Sequence, residues 1–519
     1  MLKQSSLALL LLGGLAGVAG AAPARSLTLA DCVRLALEAE STLRVQRIAE
    51  RDADLQIRTQ RSAFFPVIEA QIDFRHEAAT TEYAYADDDG RYNTTTFTYG
   101  AGVRGLLPFG TSYRIALDAG TLYTDQSQSI YDRRHAASLS LTLTHPLLSG
   151  WRPSSTTAGL EVARADHVAM QKSVQARVSE VALSVARAYY ALSAARETLR
   201  IAKRSLADVT KVQNWVQVRK DAGTASPVEL IEAQTAVATR KQAQIAAEQS
   251  VKTAQAQLFA LIYKGDARDA NDLTGEVLPA DRPDASQDDR QLMTLLQTAL
   301  AKRAEIRQAS NNLRARSIAA SAADNRALPK LDLTFGAGLT ALTGNCILQG
   351  TPGDPNNPGC SALNQDLVGG HGKAWGNVFT AKQPYVQVGL KLELPVTSAA
   401  RRALADRAEL FRERAREQLR GARIRVLTEV RSAFARVQAL YRSVGAARQA
   451  ATLARQAFSA VETQFKAGLT KADDVLRIQL SLAQNESTLA SMLRQYAEAR
   501  AALDAAIGEL PERFNVRVR

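Results

Sequence analysis

The chain has 519 residues, a net charge of +13 and only 6% aromatic residues. Its length alone suggests three or four globular domains at about 150 residues each. Sparse aromatics and segments crowded with Ala, Leu, Arg and Gln instead describe long helices, which excludes large globular cores. The positive charge would suggest nucleic acid inside a cell. Here Lys and Arg alternate with Glu and Asp along helical patterns, as on solvated helix faces, and no nucleic-acid partner is expected.

Residues 1–22 read as a secretory signal. Lys3 is followed by an apolar run, Leu7 to Val18, and then by the small residues Ala19-Gly20-Ala21-Ala22. Cys32 follows Asp31, well past the apolar run, so it is no lipidation site; its helical context predicts a small buried residue. No later stretch reaches the roughly 18 apolar residues of a spanning helix. Entry into a membrane would therefore require β-strands.

From Leu27 a helical pattern runs to Pro66, and a strand pattern begins at once, because the residue before proline is driven out of the helical region. Ile68, Ala70, Ile72 and Phe74 alternate with Glu69, Gln71, Asp73 and Arg75, the period-two mark of one apolar and one wet face. A strand-like hairpin is predicted near residues 97–124, with its place in or beyond the sheet left open. It contains Gly100-Ala101-Gly102-Val103-Arg104-Gly105, which spells a dinucleotide fingerprint. No helix pattern follows, so nucleotide binding is not expected. A returning strand spans Ser138 to Thr144 and ends at Pro146. An unbroken helix is then predicted from about Ser154 to Lys220. Val174, Val178, Val181, Val185, Ala188, Leu192, Ala195 and Leu199 form a heptad seam. At 1.5 Å per residue such a helix spans roughly 100 Å. Gly223 marks a turn, Ser226-Pro227 restarts a helix, and that helix ends near Tyr263.

The same order then recurs. Superposing Pro66 on Pro329 aligns Ala36 with Ala299 and Leu37 with Leu300. After Pro329, Leu331, Leu333 and Phe335 oppose Lys330, Asp332 and Thr334. A second strand, Tyr385 to Leu394, ends at Pro395. A long helix from about Ser398 to Lys466 carries the seam Leu427, Val430, Phe434, Val437, Tyr441 and Val444. Its turn at Gly468 leads to a last helix ending near Ile507. The organisation read from this is a first repeat at 23–265, a linker at 266–289, a second repeat at 290–510 and a tail at 511–519.

Between the two strands of the second repeat, Cys346 and Cys360 bracket a loop rich in Pro, Gly and Asn; after export they are expected to form a disulfide. A metal site with His371 is the less simple reading. Histidines 76, 135, 145, 167 and 371 show no metal spacing, and no catalytic constellation stands out, so neither an enzyme nor a cofactor is expected. Aromatics near the strands (Tyr83, Tyr85, Tyr92, Phe97, Tyr99, Phe109, Tyr113, Tyr123, Trp151, Trp375, Phe379 and Tyr385) suggest a membrane-interface girdle.

The duplicated helix–Pro–strand units, LPKLDLTFGAG, the LELPV strand end and the two glycine turns resemble the TolC-type outer-membrane efflux proteins over about Leu27 to Leu510. The resemblance implies a mainly α fold with a membrane β-barrel portion. Long helices would form a coiled-coil barrel across the periplasm. Each subunit would bring four strands to a 12-stranded barrel completed in a homotrimer, or six strands if the 97–124 hairpin joins. It implies a passive exit duct in the outer-membrane lipid, fed by an inner-membrane pump through a periplasmic adaptor protein, with small-molecule or drug efflux as the leading use. A type I protein-secretion duct of the same fold and a periplasmic coiled-coil scaffold without a pore are the alternatives.

In that family acids near the hairpin turns constrict the periplasmic entrance. Asp474, six residues after Gly468 and next to Asp473, matches the first of them; the second position is Arg477, a departure that puts a double acidic ring in doubt. Glu229 and Glu232 hold the equivalent offsets from Gly223. Trimeric rings of carboxylates would favour cations. Acids in a first helical turn are also simply stabilising.

Overall fold

The computed structural model describes residues 25–80, 91–126, 129–263, 276–347, 359–363, 365–394 and 397–514. In chain order the elements are β1 (Arg25–Leu27), α1 (Leu29–Ala39), α2 (Ser41–Ser62), β2 (Val67–Thr80), β3 (Arg91–Leu106), β4 (Ser112–Thr124) and β5 (Tyr131–Pro146). Then come α3 (Pro153–Thr156), α4 (Ala158–Asp221), α5 (Pro227–Ile262), β6 (Val277–Pro279), α6 (Leu292–Lys302), α7 (Ala304–Ala327) and β7 (Lys330–Cys346). The chain closes with α8 (His371–Phe379), β8 (Pro384–Glu393), α9 (Ala399–Lys466), α10 (Ala472–Ile507) and α11 (Leu510–Arg513). Among the described residues no helix is long and apolar enough to cross a membrane.

The repeat is carried into backbone detail. One residue interrupts the helix in each copy: Glu40 between α1 and α2, Arg303 between α6 and α7, both in extended conformation. These positions differ by 263, the same offset as Pro66 and Pro329. Pro66 and Pro329 stand directly before β2 and β7, and Pro146 closes β5. Pro395 lies outside the described residues.

Two compact units are distinguished, and each draws on both repeats. One holds the residues through Arg47, Ser173–Ile306 and those from Arg423 onward; the other holds Ile48–Lys172 and Arg307–Ala422.

The first unit is a helical assembly with a continuous apolar core. Leu29, Cys32, Val33 and Ala36 of α1 pack on Val174, Val178, Val185 and Leu192 of α4 and on Val251 and Leu258 of α5. The heptad seam is therefore buried as its spacing requires. In the middle of α9 Val426, Val430, Val437, Val444 and Ala451 are buried, while Tyr441 remains 37% exposed. The seam there follows sevens from Val430, and the aromatic steps aside to touch Tyr496, at 6.3 Å between ring centres. Cys32 is fully buried, and burial pushes its thiol up to about 12, as befits a packing residue. β1 and β6 form a short parallel pair beside this core. Buried Tyr189 ties it down: its Oη accepts from Asp281 N at 3.0 Å and lies 3.1 Å from Leu27 O, while Leu29 N donates to Asp281 Oδ2 at 2.9 Å.

The second unit is built round one antiparallel six-stranded sheet in the order β2-β3-β4-β5-β7-β8. The 97–124 hairpin thus joins the sheet, as β3 and β4, between β2 and β5. The returning strand of the first repeat is longer than the 138–144 core of its alternation. The long helix after it is interrupted at Thr157, where α3 gives way to α4. Pro153 suits the first turn of α3, where its missing N–H is not needed.

Cross-strand register sorts the sheet into two faces. Ile72, Tyr99, Ala119, Ala137 and Ala341 form one row, on the face that also carries Ile68, Phe74, Ile115, Leu117, Val388 and Leu390. Glu69, Gly102, Ala116, Ser140, Gly338 and Tyr385 form a row on the opposite face.

Candidate channel entrance and sheet faces

The two hairpin turns use the same backbone device. Gly223 N donates to Lys220 O at 2.9 Å and Thr224 N to Arg219 O at 2.8 Å; Gly468 N donates to Phe465 O at 3.0 Å and Leu469 N to Gln464 O at 2.9 Å. Both glycines have positive φ, +76° and +75°, so each helix ends in a left-handed stop that a side chain would strain. Restarts differ. Ser226 caps α5 by accepting from Glu229 N at 3.2 Å, with Pro227 in the first turn. Lys471 at the head of α10 makes no side-chain cap.

Below the turns the two hairpins share a core of Val209, Val212, Val216, Leu230, Phe465, Val475 and Leu476. Trp215 lies against Phe465 at 6.0 Å, Lys466 Nζ sits 5.0 Å from the Trp215 ring, and the Arg219 guanidinium sits 5.6 Å from the Phe465 ring. Deeper along the hairpins a buried polar step follows, where Gln479 Nε2 donates to Ser205 Oγ at 2.7 Å and Arg240 Nε to Gln479 Oε1 at 3.3 Å.

The acids near the turns are not alike. Asp474 accepts from Thr470 Oγ1 at 3.0 Å and from Arg477 Nη2 at 3.1 Å. The Arg477 guanidinium, then the Thr470 hydroxyl, hold its carboxyl below the usual carboxylate range. Arg477, which stands where the resemblance places a second acid, therefore pairs with Asp474, the first. Asp473, beside it in the first turn of α10, is exposed; Glu229, in the first turn of α5, is half-buried, and Glu232, one turn on, is exposed. Apolar side chains are exposed here too: Val228, Ile231 and, at 79%, Leu469.

On the polar sheet face, Glu69 takes Arg104 Nε at 3.2 Å from β3 and Arg114 Nε at 2.6 Å from β4, the strand beyond it. Lys330 pairs with Asp332 at 3.2 Å and Lys391 with Glu393 at 2.9 Å. The Gly100–Gly105 segment lies within β3 and opens no helix. Gly100 leaves room for Asp118, and a side chain at Gly102 would crowd Ile115 O at 2.9 Å, so these glycines serve close strand packing.

The apolar face is exposed where it would meet lipid, with Ile68 80% and Val386 72% accessible. At the end of the sheet away from Pro66 and Pro146 it is covered instead. Ala119, Ala137 and Ala341 make a flat shelf across three strands, and Ala374 and Val378 of α8 pack on it. His371 Nε2 and Tyr99 Oη are 2.5 Å apart, and Trp375 Nε1 donates to Tyr99 Oη at 3.2 Å. This corrects the girdle reading. Tyr99 and Trp375 pin a helix, Tyr92 and Tyr385 lie on the polar face, and Phe97, Tyr113 and Tyr123 stay on the apolar face. Tyr83 and Tyr85 lie outside the described residues. Cys346 and Cys360 are joined by a disulfide, with Cα atoms 5.9 Å apart. Among the described residues no group of three or more His, Cys, Asp or Glu could hold a metal ion.

A mainly helical chain with a twice-repeated helix–strand plan and a two-faced antiparallel sheet defines a membrane channel class. The outer membrane efflux protein family matches residues 32–262 and 295–509, and the chain belongs to that family. It is thus an outer-membrane efflux duct; the family is one of channel proteins, not enzymes. Among solved structures, the outer-membrane channel OprN superposes with a TM-score of 0.62 at 16% identity, covering 93% of this chain and 90% of that one. VceC from Vibrio cholerae gives 0.61 at 17%, covering 92% and 96%. The Neisseria gonorrhoeae MtrE channel, crystallised in its open state, gives 0.61 at 17%, covering 93% and 89%. At these identities the likeness is one of fold. No curated protein matches the chain significantly in sequence.

Proposed function

We propose that the chain is one of three identical subunits of a passive exit duct for small molecules, its helices standing in the periplasm. A periplasmic adaptor protein and an inner-membrane pump would feed it. The observation that carries this reading is the sheet itself. It bears an exposed apolar face, a charged opposite face and two edge strands, β2 and β8, that pair on one side only. Open edges are not tolerated in hydrocarbon, where every unpaired backbone group is costly, so such a sheet enters lipid only as part of a closed ring. A soluble coiled-coil scaffold gives no reason for residues such as Ile68, Val388 and Leu390 to stay uncovered.

The hairpin turns would form the inner mouth of the duct. Glu229, Glu232 and Asp473 would present carboxylates there, and Asp474 would present an ion pair. Exposed Val228, Ile231 and Leu469 suit an apolar contact with the adaptor. The test is single-channel conductance of the detergent-purified protein in a planar bilayer. Discrete, long-lived steps are expected. A protein that stays soluble without detergent and conducts nothing would overturn the reading.

A further inference from the structure

The TolC-type resemblance implies four strands per subunit, and the sheet has six. The extra pair has a definite origin. The second repeat passes from β7 to β8, while the first inserts β3 and β4 between its equivalents, β2 and β5. Removing that hairpin on paper would leave β2-β5-β7-β8, the four-strand order. The inserted strands are interior to the sheet: β3 pairs with β2 along its length, and β4 with both β3 and β5. They cannot leave the barrel without splitting the sheet.

Their chemistry agrees with that position. On the apolar face they carry Val103, Ala101, Phe97, Ile115 and Leu117, of which Phe97, Ile115 and Leu117 are exposed. On the polar face Arg104 and Arg114 converge on Glu69 of β2. A hairpin projecting into water would have no use for an apolar outer stripe continuous with that of its neighbours.

We infer that each copy contributes six strands, so that three copies close an 18-stranded barrel rather than a 12-stranded one. The partner surface is the edge of a second copy of this chain. With six alternating strands, β8 of one copy runs antiparallel to β2 of the next, and the ring closes with no parallel seam. Register parity is fixed by the faces. Even-numbered residues of β8 carry the apolar stripe, as do even-numbered residues of β2, so the seam sets even against even. Barrel diameter grows roughly linearly with strand number, so the lumen is about half again as wide as that of 12 strands at the same tilt. The wider barrel leaves selection by size to the hairpin-turn mouth, where the resemblance already places the constriction.

This inference rests on the oligomeric-duct reading, and the test separates the two. Val388→Cys is combined in turn with Ile68→Cys, Ile72→Cys or Phe74→Cys on β2, and with Ile115→Cys or Leu117→Cys on β4. Mild oxidation in outer-membrane vesicles follows, with each single variant as control. Covalent trimers from at least one β2 combination and none from β4 are expected. Cross-links from β4 and none from β2 would overturn the β8–β2 seam and leave the trimeric duct standing; because the four-strand order β2-β5-β7-β8 would keep that seam, the strand count itself is read by microscopy. A protein monomeric in detergent, with no cross-link in any combination, would overturn both. Electron cryomicroscopy of the unmodified protein counts strands independently of any variant: 18 supports the inference and 12 refutes it.

Discussion

Glu40 and Arg303 occupy the same kink in the two repeats and carry opposite charges. Each reaches the long helix of its own repeat: Arg177 Nη2 donates to Glu40 Oε1 at 3.3 Å, and Arg303 Nη2 to Glu429 Oε2 at 2.8 Å. Arg303 also donates to Glu305 Oε2 and, through Nη1, to Ala505 O, each at 2.9 Å. The duplication kept the joint and reversed the sign of its fastening.

That reversal makes an exchange experiment possible. Arg303→Glu sets three carboxylates together and should lower the melting temperature of the detergent-purified protein. Arg303→Ala should cost about 2 kcal/mol through lost charged hydrogen bonds. Arg303→Glu combined with Glu429→Arg should recover part of the loss, since the pair is restored although the Ala505 bond is not. Equal melting of the single variant and the unmodified protein would discount the joint.

Acid should loosen the Glu40 joint. The Thr42 hydroxyl, with Arg177 adding to it, holds the Glu40 carboxyl below its ordinary value of 4.5. A lowered value means that the folded state prefers the charged form. The stabilisation is therefore full above the unfolded value and is lost as pH falls through the folded one. Glu40→Gln should lower the melting temperature at neutral pH, where the charged form contributes fully, and change it least in acid, so that the acid limb below about pH 4.5 flattens. An acid limb identical to that of the unmodified protein would show that Glu40 contributes nothing to it.

At the proposed mouth, Arg477→Ala should release Asp474 from its ion pair and raise cation preference, read as a shift in reversal potential under a salt gradient. In the unmodified protein, Asp474 stays ionised below the usual carboxylate range, because Arg477 and Thr470 favour its charged form. The preference of the variant should weaken at a higher pH than any acid effect on the parent. An unchanged reversal potential would place Asp474 away from the ion path.

Thiol counting checks the loop. Of three cysteines, Cys346 and Cys360 are bridged and Cys32 is buried. A maleimide should therefore label none in the folded protein, one after unfolding without reductant and three after reduction. The bridge spans 14 residues of sequence and should restrain that loop by about 3 kcal/mol in the chain-entropy model.

The alanine shelf tolerates no enlargement. Ala137→Leu would place extra carbons beneath Ala374 and Val378, at a cost of about 1–3 kcal/mol. Helix α8 should lift, and trypsin should cleave faster at Lys373. Cleavage at the parent's rate would mean that the shelf does not seat the helix.

What the sequence determined on its own follows from local periodicity. Alternation fixed the faces of β2, β7 and β8, heptads fixed the buried seam of α4, and glycine and proline fixed the turns and junctions. Each of these signals is carried by neighbours along the chain. The cysteine pair was also legible, because a short loop in an oxidising compartment leaves few partners. Only the tertiary structure decided where the 97–124 hairpin belongs, since strand order depends on hydrogen bonds between distant segments. It alone paired Asp474 with Arg477, because spacing puts both near one turn without saying that their side chains meet. It alone drew Tyr99 and Trp375 from an interface belt into a helix clasp, for Tyr99's partners, His371 and Trp375, lie 272 and 276 residues from it. Local pattern says which face a residue takes; what covers that face is settled by chain brought from elsewhere.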